Sequence, residues 1–184
     1  MDFFAEYFSV VCDVIRASDT TFITRAADMI RNCHARGNKI IVAGNGGSAA
    51  IASHVAVDLT KIAGIRAITF NEADLITCFA NDFGYENWVA HALRFYADKG
   101  DIAILLSSSG CSPNMIRAAE TAKQIGLEVI TLTGFDAGNP LRNTGGDLNL
   151  WIDNRLYNIV ESVHQLWLLS VIDLIAGNYP EGHE

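Results

Sequence analysis

Twice in this chain a short apolar run breaks into a loop of small polar residues and then into a helix. Ile40-Ile41-Val42-Ala43 leads into Gly44-Asn45-Gly46-Gly47-Ser48 and an alanine-rich helix. Ile102 to Leu106 leads into Ser107-Ser108-Ser109-Gly110-Cys111-Ser112-Pro113 and a second helix. An apolar run without alternation reads as a strand buried on both faces, and a helix after each strand makes a crossover rather than a hairpin. The pattern commits the chain to an α/β fold with a parallel sheet covered on both sides.

The rest of the chain extends that order. Residues 2–17 predict a helix, with Phe3, Phe4, Tyr7, Val10, Val11, Val14 and Ile15 on a 3.6-residue period. Ser18-Asp19 punctuates, and a second helix runs to about Ala35, ended by Gly37. The helix after Ser48 ends near Lys61, and Arg66 to Phe70 is a short strand. Leu75 to Ala80 and Trp88 to Tyr96 predict helices on either side of an Asn81-Asp82-Phe83-Gly84 turn. After the Ile102 strand come a helix over 113–125, a strand from Val129 to Leu132, a loop rich in Gly and Asn, and a strand from Leu148 to Ile152. A last helix runs from about Leu156 to Ala176, and the tail from Tyr179 to Glu184 is expected to fray. One domain over 1–184 accommodates all of this: N-terminal helices over 1–37, an α/β core over 38–153 and a C-terminal helix over 154–177.

The loops say what the core is for. Glycine lets the backbone approach a ligand closely, and a helix start offers unpaired N–H groups and a partial positive charge. Both loops are therefore seats for an anion, and four hydroxyls near one helix start suit the acceptor oxygens of a phosphate monoester. Binding belongs at the carboxyl edge of the sheet, where both loops lie. Other readings exist for each loop alone. Ser112-Pro113 is a good N-cap and N1 pair, and Gly44-x-Gly46-x-x-Ala49 also fits a dinucleotide fingerprint. That fingerprint wants an acidic residue about 20 positions on, and Asn71-Glu72 comes rather late for it.

Bulk properties narrow the ligand. Half of the 184 residues are apolar, enough for a sizeable core, and the net charge of −8 argues against nucleic acid as a direct ligand. Cys12, Cys33, Cys78 and Cys111 form no CxxC pair, so neither a disulfide framework nor a zinc finger is suggested. With no basic-then-apolar leader at the start and no uninterrupted apolar run of about 18 residues, a cytoplasmic protein with no membrane span is expected.

The stretches AGNGGSAA, HVAVDLTK, ANDFGYEN, SSSGCSPNMIRAAETAKQIGLEVITLTG and ESVHQLWLLSVIDLI, in that order and over nearly the whole chain, resemble the sugar isomerase (SIS) domain family, and within it the phosphoheptose isomerase branch. The resemblance implies a three-layer α/β/α sandwich on a five-stranded parallel sheet, flavodoxin-like, with extra N-terminal helices and a long C-terminal helix. It implies a homo-oligomer, commonly a tetramer, with active sites at subunit boundaries. The surplus of apolar faces on residues 156–176 agrees with such packing. It also implies aldose–ketose isomerisation through an enediol, on a substrate such as sedoheptulose 7-phosphate. That reaction needs a base for the carbon-bound proton, a group that moves protons between oxygens, and a grip on the phosphate.

The phosphate falls to Ser107, Ser109 and Ser112, with Ser108 and the Gly46-Gly47-Ser48 turn beside them. Asn45 and Ser48 are candidates for sugar hydroxyls or the phosphate, and Asp82 for hydroxyls or for its own turn. The proton-transfer residues depart from the family. Its base glutamate corresponds to Asp58, and its polar residue on the last helix to Glu161. Its acid histidine corresponds to Leu169, and an aspartate one turn before the polar residue to Asn158. Asp58 and Glu161 are thus the candidate catalytic carboxylates. Some members bind zinc with ligands from these helices, and His54 matches one such position, so His54, Asp58 and Glu161 make a candidate metal set. His164 reads as an interface or core histidine, and Cys111 as loop filling or a reactive thiol. A second branch, typified by a homotetramer that associates with a replication initiator, lacks the same acid and base. A non-catalytic phosphosugar-binding or regulatory protein is therefore the alternative expectation.

Overall fold

The computed structural model describes residues 2–180, and the end of the tail expected to fray lies outside the described residues. The chain runs α1 (Phe3–Arg16), α2 (Thr20–Ala35), β1 (Ile40–Ala43), α3 (Gly47–Lys61), β2 (Ala67–Thr69), α4 (Ala73–Phe83), α5 (Trp88–Tyr96), β3 (Ile102–Ser107), α6 (Pro113–Gln124), β4 (Glu128–Thr133), α7 (Pro140–Asn143), β5 (Leu148–Trp151) and α8 (Tyr157–Ala176). The starts of the first two helices follow their sequence signals: the Asp2 carboxylate accepts from the Phe4 N–H and that of Asp19 from the Thr21 N–H.

The five strands form one sheet in the order β2-β1-β3-β4-β5, every pair parallel. Ile41 stands opposite Ile68 on one side and Ala103 on the other, and Ile130 stands opposite Leu148. The expected five-stranded parallel α/β/α sandwich is the fold observed. β1 and β3 are buried along their whole lengths, as unbroken apolar runs require, whereas the edge strand β5 alternates. Side chains leave the sheet to opposite sides. Ile40, Val42, Ile104, Leu106 and Ile130 pack under α2, α3 and α8, while Ile41, Ala43, Ala103, Leu105 and Val129 pack under α5 and α6.

The order of strands reverses between β1 and β3. From β1 the chain steps outward to β2 through α3, then returns across β1 to β3 through α4 and α5. Right-handed crossovers in opposite directions put α3 on one face and α5 and α6 on the other. A crevice opens where the two loops part at the carboxyl ends of β1 and β3.

Two local details differ from the sequence reading. Asn81, Asp82 and Phe83 are the last turn of α4 rather than a free turn, and Gly84, at φ 83°, caps it. The Gly/Asn-rich loop holds a short helix, α7, whose N-cap Asn139 is buried. Helix α8 has the length and mean hydropathy, 1.5, of a membrane-crossing segment. Here it lies on the sheet, with Ile159, Val160, Val163, Trp167, Leu168, Val171 and Ile172 in the core.

Away from the crevice, at the amino ends of the strands, Lys39 Nζ lies 2.6 Å from Asp101 Oδ2 and 2.7 Å from Asp98 Oδ2. Burial acts to raise the Asp101 pKa, but hydrogen bonds from the Lys39 backbone and ammonium, the Asp98 N–H and the Asn38 amide outweigh it. The net effect holds the carboxyl below its ordinary value.

Candidate functional site

The crevice holds a pocket of about 110 Å³ lined by Asn45, Ser48, Leu106, Ser107, Ser108, Ser109, Ser112, Tyr157 and Glu161. The serine loop and part of the glycine loop, the two seats read from the sequence, thus converge on one cavity. Gly46, at φ 55°, turns the chain into α3 without a side-chain cap, so the first amides of that helix keep their donors for a ligand. Ser112 begins α6 in the same way: its hydroxyl makes no cap bond and instead accepts from Ser107 Oγ at 3.1 Å. Ser108 Oγ is buried and unpartnered. An unmet buried hydroxyl costs about 1–3 kcal/mol, so this one favours a ligand that accepts from it. Ser109 Oγ accepts from the Cys111 N–H at 3.2 Å, which leaves its own proton to donate.

The walls are tied by groups that, Asn45 apart, the sequence reading did not single out. Asn45 and the buried Asn114 exchange two amide hydrogen bonds, of 2.9 and 2.8 Å, that link the glycine loop to α6. Tyr85 Oη donates to Asn45 Oδ1 at 3.1 Å. Asn139 backs the serine loop: a Cβ on Gly110, at φ 66°, would stand 2.7 Å from Asn139 Cβ, and the Leu141 N–H donates to the Gly110 carbonyl. Asn139 is held in turn by donating to Thr133 Oγ1 at 3.1 Å and to the Asp136 carbonyl at 2.8 Å. The signal available for it was an Asn-Pro pair in a Gly-rich loop, a helix start with no long helix behind it.

Past Glu161 the pocket meets a second, wider cavity of about 470 Å³, lined by Gly47, Ala50, Ile51, His54, Asn158, Glu161, Ser162 and Gln165. Glu161 belongs to both cavities and lies so close over Gly47 that a Cβ there would stand 2.7 Å from its Cδ. Its carboxylate therefore rests at the start of α3, where the helix dipole suits an anion. Asp58 is placed differently from expectation. It lines neither cavity, and its Oδ2 lies 3.0 Å from His54 Nε2. Asp82 also stands apart, exposed on α4, where it accepts from the Asn81 amide at 2.9 Å.

The candidate metal set of His54, Asp58 and Glu161 is not assembled. Among the described residues no three His, Cys, Asp or Glu side chains are gathered to hold a metal ion. His54 Nε2 is spent on Asp58 and Nδ1 lies 3.1 Å from Gln165 Nε2, while Leu169 packs against the core. These residues do not fit a zinc site. His164 is a core histidine, fully buried, with Nε2 3.2 Å from the Thr133 carbonyl. Burial pushes its pKa down to about 4. The Cys111 thiol fills its loop, donating to the Ser109 carbonyl at 3.4 Å.

Two loops that converge at the switch point of a 2-1-3-4-5 parallel sheet, under a long closing helix, define an α/β domain built to seat a small anion. The SIS domain model matches residues 3–134, and the chain belongs to the SIS domain family. Within it, the chain is similar to phosphoheptose isomerases. That of Colwellia psychrerythraea is 33% identical over 168 residues, which cover 87% of this chain and 86% of the relative. The structure of the Neisseria gonorrhoeae phosphoheptose isomerase aligns with a TM-score of 0.87 at 26% identity, covering 94% of this chain and 96% of that one. The Francisella tularensis enzyme aligns with a TM-score of 0.87 at 25% identity, covering 96% and 97%.

Proposed function

We propose that this protein is a sugar-phosphate aldose–ketose isomerase acting on a phosphoheptose of the sedoheptulose 7-phosphate type. The observation that carries the reading is the junction of a hydroxyl-lined anion pocket with a wider groove, with Glu161 at their meeting point. The phosphate is held by Ser107, Ser108, Ser109 and Ser112, with Ser48 at the start of α3 beside them. The open sugar chain runs past Glu161 into the groove, where Asn158 and Ser162 can each bond a hydroxyl. Glu161 is the base that carries the proton between C1 and C2, and Asp58 acts through His54. The protein works as a homo-oligomer: among the described residues no α1 side chain is buried, and Phe3, Phe4 and Phe8 stand exposed on it. Its free cysteines suit the reducing cytosol.

The test is proton exchange in deuterated water with sedoheptulose 7-phosphate. Deuterium at C1 or C2, detected by NMR, is the expected result. A positioned acid or base contributes about 10²–10⁴-fold, so Glu161→Gln should lower the rate by that factor with little change in KM. Tight binding of the sugar phosphate with no deuterium incorporated would instead make this a non-catalytic, regulatory member of the family.

A further inference from the structure

The isomerase reading leaves one role unfilled. A proton must move from one substrate oxygen to the other, and Leu169 cannot carry it. We propose that His54 is this oxygen-to-oxygen proton carrier and that Gln165, reaching across from α8, is the residue that positions it. The inference rests on the isomerase reading and concerns the groove beyond the serine-lined pocket.

The geometry is a clamp. The His54 ring, on α3, is held at both nitrogens: Nε2 is 3.0 Å from Asp58 Oδ2, and Nδ1 is 3.1 Å from Gln165 Nε2. Asp58 lies one turn after His54 on the same helix, as an i, i+4 pair. An ionised carboxylate only accepts, so Asp58 fixes the proton on Nε2 and leaves the Nδ1 lone pair toward the Gln165 amide. Nδ1 is the nitrogen that changes state. A glutamine is suited to face it, because rotation of the amide offers either a donor to the bare nitrogen or an acceptor to the protonated one. A carboxylate at 165 would serve only the protonated ring, and an apolar residue neither.

The placement is as specific as the bonding. His54 and Gln165 both line the groove that Glu161 enters, and the His54 side chain is about half exposed to it, at 47%. Gln165 stands four residues after Glu161 and four before Leu169, so all three lie on one stripe of α8. The carrier that Leu169 cannot provide thus sits on the facing helix, one turn nearer Glu161, with its partner on the same stripe.

The chemistry balances without an outside reagent. As substrate enters, a hydroxyl reaches Nδ1 beside the Gln165 amide, which turns its oxygen to the ring while Nδ1 holds the proton. Glu161 takes the proton from C1 and returns it to C2, while one proton passes through Nδ1 from the C1 oxygen to the C2 oxygen in the opposite sense to the carbonyl shift. In the ketose-to-aldose direction O2 gains a proton and O1 loses one, and His54 ends in its starting state. Asp58 keeps the ring in place through Nε2 throughout.

The experiment compares the full-length protein with His54→Gln and Gln165→Met, a pair close in size to the native side chains. Steady-state turnover and deuterium incorporation are read with sedoheptulose 7-phosphate, and inorganic phosphate binding by calorimetry serves as the control for an intact pocket. His54→Gln should lower kcat by about 10²–10⁴-fold. Gln165→Met should lower kcat by roughly 10–100-fold, a positional loss, with KM and phosphate affinity within about threefold of native in both. Gln165→Asn, which keeps the amide on a shorter arm, should recover part of the Gln165→Met loss. An active native protein whose His54→Gln variant retains its kcat overturns this inference and leaves the isomerase reading standing. So does a loss confined to KM or to phosphate affinity. A native protein that incorporates no deuterium overturns both.

Discussion

Single residues in this protein carry two kinds of work, and His164 and Glu161, one turn apart on α8, show both. Glu161 turns toward the cavities, and His164 turns into the core with Nδ1 unpartnered and neutral. A buried neutral histidine makes stability depend on pH. Its pKa is about 4 in the folded protein against an ordinary 6.5. Above pH 6.5 both folded and unfolded chains hold it neutral. As pH falls from 6.5 toward 4 only the unfolded chain takes up the proton, so stability drops, and the loss levels off below about 4 at on the order of 3 kcal/mol. Urea unfolding across that range should show a steep fall in the native protein and a flatter one in His164→Gln. Parallel curves would assign the fall to other groups.

At the scale of elements, the site depends on how loops are braced from behind. The serine loop follows β3, but its shape is set by the short helix α7: Asn139 occupies the space where a Gly110 side chain would go, and Leu141 bonds the Gly110 carbonyl. Gly110 is also left-handed, at φ 66°, which costs a non-glycine residue on the order of 1–3 kcal/mol when the surroundings do not yield. Gly110→Ala should therefore lower stability by at least that much and weaken inorganic phosphate binding at the same time. Calorimetry and urea unfolding of one sample measure both. Full phosphate affinity in the variant would mean that the loop does not need this brace.

For the molecule as a whole, the open question is what covers α1. Its exposed Phe3, Phe4 and Phe8 follow from a helix whose apolar residues exceed what one sheet face needs, and α8 adds the exposed Leu166. Burial of a large side chain such as Phe contributes about 1.5–3 kcal/mol, so a few such residues per subunit are enough to hold an assembly together. Light scattering should give a multiple of the 20.0 kDa chain mass, four being the expected number. The pair Phe4→Asp and Phe8→Asp should release smaller species. A native monomer at micromolar concentration would show that α1 tolerates water.

Much of this was legible in the chain itself, because it rests on local periodicity and local backbone chemistry. Unbroken apolar runs followed by helices determined the parallel sheet. Glycines and serines after β1 and β3 marked two candidate anion seats and placed both on one sheet edge. The extent of α4, with Asp82 on its last turn, escaped because Asn81-Asp82-Phe83-Gly84 satisfies turn chemistry as well as a helix end capped by Gly84. What only the tertiary structure decided is who faces whom across elements far apart in sequence. Asn139 beneath Gly110, Asn114 on Asn45, Glu161 over Gly47 and Gln165 against His54 are contacts between different elements, and no periodicity within either partner encodes them. The His54–Asp58 contact, by contrast, is an i, i+4 pair within α3, while Asp58's place outside both cavities is set by how α3 packs. A sequence shows which side of its own helix a residue occupies, while the distance to the neighbouring helix is set by how the whole core packs.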